Sequence, residues 1–249
     1  MHPTASGIFK DSYLVEFLDL PREHSENDLH RGLDAESYWM PSAEVYPGKN
    51  EARPSICSKG GSTMKIAIDP GHGMGNRRAG VFDPGATRSV GTETFAEADI
   101  VLRYGHTLRQ LLEDGGIDVF MTRTSSADPA PVGRRARRAA EAGCTHYVSL
   151  HLNSSESLQA NGVEVLFRNE LKDKPLADRL QGRLLQITGF SDHGNDQRTD
   201  LAVLRFTPGP AVLIELGFIS NDGDRSFLIQ GANRDAICQG IFVVLTSGG

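Results

Sequence analysis

Cysteine is scarce in this sequence, with three residues in 249, at positions 57, 144 and 238, and no CxxC pair. An odd number of widely separated cysteines fits neither a disulfide scaffold nor a cysteine-based zinc finger. The chain also lacks an apolar run near the ~20 residues that cross a bilayer. Its first residues lack the basic start, apolar stretch and cleavage site of a secretory signal. These absences predict synthesis in the reducing cytoplasm, without a signal peptide and without membrane insertion.

An excess of basic residues is missing as well. The chain has 26 basic and 32 acidic residues and a net charge of −6, whereas chains that neutralise nucleic-acid phosphates are normally basic. The one basic cluster consists of arginines at positions 134, 135, 137 and 138, and no aromatic platform accompanies it. We therefore expect no nucleic-acid partner and interpret the cluster as a solvated helix face.

The first 63 residues differ from the rest of the chain. Prolines at positions 3, 21, 41, 47 and 54 interrupt them, and Ser, Glu and Asp are frequent. From Met64 onward, short β-rich apolar runs alternate with longer amphipathic segments, which is the pattern of an α/β protein. The sequence therefore predicts a poorly structured or accessory segment over 1–63 and a single folded domain over 64–249.

The predicted fold class of the domain is α/β, with a mostly parallel twisted sheet of about six strands and helices on both faces. Apolar runs predict strands over 65–69, 117–122, 145–151, 162–167, 201–204 and 211–215. Helical periodicity predicts helices over 95–113, 132–142, 175–188 and 235–245. No internal repeat is present.

Four ionisable residues are expected to meet at one edge of this sheet. His72 follows an apolar strand, His151 and Glu215 end two others, and Glu97 opens the long helix. Reactive groups of open α/β sheets gather beyond the carboxyl ends of the strands. About three His or Glu ligands with one open position form a catalytic zinc site. The pattern therefore indicates a metal site with a fourth residue available as a base.

Structural interpretations compete with this one. Either histidine alone could be a hydrogen-bonded residue at a strand end. Glu215 argues more strongly for function, because a carboxylate in an apolar strand is costly to bury unless a charge or a metal accompanies it. The glycines at 71, 73 and 75 are not a phosphate loop, since GKS, GKT and GxGxxG are all absent. We expect these glycines to let a bulky ligand approach the metal.

Six blocks of sequence carry a resemblance to a known family. In chain order they are Asp69-Pro70-Gly71-His72-Gly73, Asp83-Pro84-Gly85-Ala86, Glu97, Thr122-Arg123, Ser149-Leu150-His151-Leu152-Asn153 and the segment 210–221. Together they resemble the zinc-dependent N-acetylmuramoyl-L-alanine amidases of the amidase-3 type, over nearly all of 64–249. The sequence departs from the family at Ala139-Ala140, where the family usually has Ala-Asn.

The resemblance implies roles for individual residues. His72, Glu97 and His151 would bind Zn²⁺, and Glu215 would be the catalytic acid and base. The substrate would be peptidoglycan, cut between N-acetylmuramic acid and L-alanine. Asn153 and Arg205 are candidate substrate-binding residues. The expected protein is a monomeric, phage endolysin-like enzyme that reaches the cell wall through holin-type release.

Alternatives stay open at this point. Glu93 lies four residues before Glu97 and would share its face if both were helical. The domain could be a catalytically weak peptidoglycan-binding or regulatory module of the same fold, a zinc peptidase of another α/β family, or a host enzyme instead of a phage one. The segment 1–63 could lie outside the natural enzyme, with a true start at Met64.

The division at Met64 predicts that the segment 1–63 is dispensable. A chain of residues 64–249 should fold, bind zinc and cleave peptidoglycan at a rate close to that of the full chain. A segment of about 60 residues without metals or disulfides is marginal as an independent domain. The two chains are compared in their folding by circular dichroism, in their zinc content and in their rate of cell-wall cleavage. Insolubility or inactivity of the shorter chain alone would show that the segment is part of the enzyme.

Overall fold

A six-stranded sheet forms the centre of the domain that begins at Met64, in a computed structural model that describes residues 64–205, 207 and 209–247. The predictions for 1–63 lie outside the described residues. The strands are β1 (Lys65–Pro70), β2 (Gly73–Met74), β3 (Phe82–Asp83), β4 (Thr87–Val90), β5 (Glu93–Ala96), β6 (Asp118–Met121), β7 (His146–Asn153), β8 (Val163–Phe167), β9 (Asp192–Gln197) and β10 (Ala211–Phe218). The α-helices are α1 (Glu97–Asp114), α2 (Val132–Glu141), α3 (Lys174–Thr188), α4 (Asp222–Leu228) and α5 (Gly231–Thr246).

The strands of the central sheet follow the order β6-β1-β7-β10-β8-β9. Strands β6, β1, β7 and β10 are mutually parallel, β8 pairs antiparallel with β10, and β9 pairs parallel with β8. The two other sheets are the short pairs β2-β3 and β4-β5. The predicted mostly parallel sheet of about six strands is confirmed.

Helices cover both faces of the sheet, as predicted. Alternate residues of a strand point to opposite faces, so each central strand contributes to two cores. Ile68, Val148 and Ile214 pack with α1, α3 and α5 on one face. Neighbouring residues of the same strands, such as Leu213, pack with α2 and a 3₁₀ helix, Ala202–Leu204, on the other face. This burial on both sides explains the continuous apolar run at the start of β10, from Ala211 to Ile214.

Two predicted elements need correction, and one strand was not predicted. The predicted strand 201–204 is the 3₁₀ helix, because its apolar residues are buried beneath α2 and not in the sheet. The sixth strand is instead β9, whose polar sequence DHGNDQ shows no apolar alternation because it lies at an exposed edge. The long helix begins at Glu97 and not at Phe95, since the preceding residues form the β4-β5 hairpin.

The arginine cluster on α2 is not simply a solvated face. Arg134 and Arg137 are exposed, but Arg135 is fully buried, and its Nε lies 3.5 Å from Asp69 Oδ1. Arg138 lies over the Phe120 ring at 5.8 Å from its centroid. The prediction of a solvated helix face was therefore wrong for Arg135, because its counter-ion comes from a strand distant in sequence.

Asp69 is the buried acid at the centre of these contacts. Its carboxylate accepts hydrogen bonds from Thr122 Oγ1 at 2.6 Å and Ser149 Oγ at 2.7 Å. Burial alone would raise the pKa of Asp69, but Arg135 and the donor hydroxyls lower it below its ordinary value of 3.8. This group thus joins β1, β7, α2 and the end of β6 through one charge.

Replacing Asp69 with Asn should destabilise the fold by about 3–5 kcal/mol, because it removes the carboxylate beside a buried guanidinium. The folded-state pKa of Asp69 is depressed, so its contribution is fully present above the ordinary pKa of 3.8 and is lost as the pH falls further. The difference in the free energy of unfolding between the wild type and D69N should therefore become smaller at acidic pH. Urea unfolding over a pH series measures it. The exposed Asp118→Asn is the control, and an equal effect of both variants would contradict the assignment.

Candidate metal centre and active site

His72 stands immediately beyond β1, in a backbone conformation that histidine rarely adopts. Its φ is 61°, and among the described residues it is the one non-glycine residue with positive φ. Such strain costs on the order of 1–3 kcal/mol and persists where the surroundings enforce it, often at functional sites. The side chain is buried with 1% of its surface exposed. The chain therefore holds this ring in place at a cost in backbone energy.

Glu97 is the first residue of α1 and lies between the two histidine rings. Its Oε1 is 3.1 Å from His72 Nε2 and 2.9 Å from His151 Nδ1, and it accepts the backbone N–H of Leu152 at 3.0 Å. Its Oε2 accepts the N–H of Ala86 at 2.8 Å. Burial alone would raise the pKa of Glu97, but the two histidines hold it below its usual range. Glu97 is therefore a carboxylate.

The side chains of His72, Glu97 and His151 form a buried group that can hold a metal ion. Their three ligand atoms lie within 4.8 Å of one another, and the two imidazole rings meet edge to face with centroids 5.0 Å apart. Two histidines and a glutamate are an established donor set for catalytic zinc. Glu93, the alternative to Glu97, lies exposed on β5 and not on the helix. It contributes nothing to this group.

Two glycines leave the space that the group occupies. A Cβ at Gly71 would lie 2.2 Å from the His151 ring, and one at Gly85 would lie 2.6 Å from Glu97 Oε2 and 2.7 Å from His72 Cδ2. A Cβ at Gly73 would lie 2.9 Å from the Arg123 side chain. At Gly71 and Gly73 the absence of a side chain thus makes room for the protein's own side chains, and the expectation that glycines 71, 73 and 75 let a bulky ligand approach the metal stays a prediction.

Glu215 lies in the central strand β10, directly beside His151 of β7 in the sheet register. It is 2% exposed, and its Oε2 has no hydrogen-bond partner among the described residues. Burial raises the pKa of Glu215 well above its usual range. The Nε2 atom of His151 is likewise buried, and it has no hydrogen-bond partner within the part of the chain that the structure describes. Buried polar atoms normally have partners, so both atoms are suited to a ligand.

Glu164 is a further buried acid, directly opposite Glu215 in the sheet, and it was not among the predicted site residues. It pairs with Glu215 across the antiparallel β8-β10 ladder, so both side chains lie on one face of the sheet. Burial, with a further contribution from Asp196, raises the pKa of Glu164 to about 7, while Arg198 acts to lower it. The signal was visible in the sequence, because a charge interrupts the apolar run Val-Glu-Val just as Glu215 interrupts its own strand.

The two candidate substrate-binding residues have different positions. Asn153 ends β7, two residues beyond His151, and is 7% exposed. Its Oδ1 accepts the N–H of Ser154 at 2.8 Å. Arg205 is exposed and follows the 3₁₀ helix. Within the described part of the chain, Arg205 makes no hydrogen bond or ion pair with the metal-binding group or Glu215, and the substrate-binding role of both residues stays a prediction.

This fold and this site define a class of protein, an α/β domain with a buried His-Glu-His group that can hold a metal ion near the carboxyl ends of its central strands. A family model described as N-acetylmuramoyl-L-alanine amidase, Amidase_3, matches residues 66–247. The chain belongs to this family. Among the described residues, no helix is both long and apolar enough to span a membrane.

Individual relatives support the family assignment. The chain is 32% identical over 176 residues to a probable cell wall amidase, LytH, of Staphylococcus aureus, which covers 71% of this chain and 55% of the relative. The chain thus spans about half the length of the curated relative that it matches.

Solved structures are also similar. An N-acetylmuramoyl-L-alanine amidase from Clostridium difficile 630 is 27% identical with a TM-score of 0.67, covering 75% of this chain and 97% of that one. The catalytic domain of CwlV from Bacillus (Paenibacillus) polymyxa var. colistinus is 26% identical with a TM-score of 0.66, covering 74% and 97%.

The space beside Glu97 predicts different effects for two similar substitutions. Gly85 and Gly75 both have positive φ, 67° and 69°, so alanine at either should cost about 1–2 kcal/mol in backbone strain. Only a Cβ at Gly85 meets the metal-binding group, since nothing lies within 4 Å of one at Gly75. Gly85→Ala should therefore weaken zinc binding about tenfold or more, and Gly75→Ala should not. Chelator competition measures the zinc affinity of each variant. Equal affinities of the Gly85→Ala and Gly75→Ala variants would contradict the assigned geometry.

Proposed function

We propose that this protein hydrolyses the amide bond between N-acetylmuramic acid and L-alanine in peptidoglycan, with Zn²⁺ bound by His72, Glu97 and His151. The observation that carries the proposal is the buried acid Glu215 directly beside that ligand group in the sheet register. Family membership and similarity to known cell-wall amidases support the substrate class.

The ligand group fits zinc by its chemistry. A carboxylate oxygen faces an imidazole nitrogen of each ring, and the ring atom His72 Nδ1 lies 3.0 Å from Asp83 Oδ2. A hydrogen bond from one ring nitrogen to a carboxylate typically orients a histidine that binds a metal through its other nitrogen. Zinc, when bound, activates water near neutral pH and polarises a carbonyl.

Glu215 is the group that moves the proton. Its carboxylate takes a proton from the attacking water, and the hydroxyl adds to the carbonyl carbon of the lactyl group. The C–N bond then breaks, and Glu215 returns the proton to the leaving amine of L-alanine. The products are a free lactyl carboxyl group and a free stem peptide. The position of Glu215 beside the ligand group suits this role, because the same side chain must hold a proton between the two steps.

The finer features of this proposal follow the sequence analysis. Asn153 and Arg205 are proposed to contact the substrate, with Asn153 favoured by its position at the end of β7. A monomeric, endolysin-like enzyme that reaches the wall by holin-type release, without nucleic-acid or membrane partners, stays a prediction. So does the accessory role of 1–63.

The assignment of Glu215 predicts that metal binding and turnover can be separated. Glu215→Gln keeps the shape but cannot carry the proton, so turnover should fall by ~10² or more while about one zinc per chain is retained. His151→Ala should lose the zinc as well as the activity. Muropeptide mass spectrometry of digested walls measures the products, and elemental analysis measures the metal. The control is Glu141→Gln, which changes an exposed acid at the end of α2.

Each result discriminates between the readings. Near-normal turnover of E215Q would place the base elsewhere, and full zinc in His151→Ala would contradict the ligand set. Products cut at a glycosidic bond or within the peptide would contradict the amidase reaction. A zinc-loaded wild type that binds the wall without cutting it would favour the binding-module alternative.

A further inference from the structure

The segment between His72 and Asp83 forms a small closed loop beside the metal-binding group. Strands β2 and β3 pair antiparallel across it, and the N–H of Gly75 donates to the carbonyl of Val81 at 2.9 Å. The loop is tied to the rest of the domain by two further bonds. Ala130 N–H donates to the carbonyl of Met74 at 2.9 Å, and Val132 N–H donates to that of Asn76 at 3.0 Å.

Asp83 Oδ2 collects contacts from three side chains. It lies 3.0 Å from His72 Nδ1, 2.6 Å from Asn76 Nδ2 and 3.3 Å from Arg77 Nε. Its other oxygen accepts the N–H of Gly85 at 3.0 Å. A carboxylate only accepts hydrogen bonds, so His72 Nδ1 must carry the hydrogen. The lone pair of the ring is then on Nε2, the nitrogen that faces Glu97.

Asn76 is the more firmly held of the two loop side chains at this carboxylate. It is 2% exposed, and its backbone carbonyl is bonded to the beginning of α2. The side chain of Arg77 is 26% exposed, and its Nε lies farther from Asp83 Oδ2 than Asn76 Nδ2 does. The ion pair of Arg77 with Asp83 is therefore a weaker constraint on the carboxylate than the hydrogen bond from Asn76. The rotamer of Asp83 therefore depends mainly on Asn76 and on the backbone of Gly85.

We propose that Asn76 is a positioning residue for the metal centre, acting on His72 through Asp83. It holds the Asp83 carboxylate where that carboxylate fixes the plane and tautomer of the His72 ring. The inference deepens the proposed function, because it rests on His72 being a zinc ligand. Outer hydrogen-bond partners of metal-binding histidines typically change metal affinity by about 10–100-fold.

A double-mutant cycle tests this chain of contacts. Zinc dissociation constants are measured by chelator competition for the full-length wild type, Asn76→Ala, Asp83→Ala and the double variant. Asn76→Ala should weaken zinc binding about tenfold in the wild-type background, and should have no further effect once Asp83 is absent, because coupled residues are not additive. The control is Arg78→Ala, which changes an exposed residue of the same loop two positions after Asn76. This variant should leave the zinc affinity unchanged.

A spectroscopic readout separates positioning from a general structural role. Cobalt replaces zinc, and the visible absorption bands report the ligand geometry. Asn76→Ala should shift these bands, while the melting temperature of its metal-free form stays near that of the wild type. This measurement does not need the Asp83 variants, so the proposal stays testable if they fail to fold.

The outcomes are distinct. Unchanged zinc affinity and an unchanged cobalt spectrum in Asn76→Ala would overturn the proposal while the zinc site stands. Equal losses with and without Asp83 would overturn it too, because Asn76 would then act by another route. A wild type that binds no zinc would overturn the proposed function itself.

Discussion

The metal-binding group depends on the carboxylate of Glu97. One oxygen of this side chain faces both histidine rings and the N–H of Leu152, and the other accepts the N–H of Ala86. The carboxylate thereby links the turn beyond β1, the end of β7 and the beginning of α1. Because four groups converge on this one residue, the β4-β5 hairpin must end directly before Glu97. Gly85 must also lack a side chain, since a Cβ there would lie too close to Glu97. The local conformation around the site follows from this requirement.

Beneath the site, buried arginines hold the backbone that carries the ligands. Arg123 donates to the carbonyls of Pro70, Gly71 and Ala98 at 2.9, 2.8 and 2.7 Å. It therefore joins the turn of His72 to the first turn of α1. Arg135 and Asp69 form a second buried contact, with Arg135 Nε 3.5 Å from Asp69 Oδ1. These charges are costly to bury singly, and their pairing favours one arrangement of the strand ends over other packings of similar apolar content.

Much of the sheet and the site follows from sequence pattern, for a physical reason. Apolar runs mark central parallel strands, and such strands end at the same edge, so His72, His151 and Glu215 could be placed together before any coordinates. The rest depended on contacts between distant segments. The polar edge strand β9 has no apolar signal, and the buried Arg135 of helix α2 has its counter-ion, Asp69, on the distant strand β1. The position of Glu164 opposite Glu215 follows only from the antiparallel direction of β8, which side-chain pattern does not encode.

The strand order has a consequence for how the chain is made. Strand β10 lies between β7 and β8 in the sheet, although it follows both in sequence. During synthesis, β7 and β8 emerge first and must leave a gap one strand wide. Two hydrogen-bonding edges stay unpaired until residues 211–218 arrive, and unpaired edges are templates for pairing with other chains. Glu215 travels on this last strand, so the proposed base enters the site with the segment that completes the sheet. A chain truncated before Ala211 is therefore prone to aggregate, besides lacking Glu215.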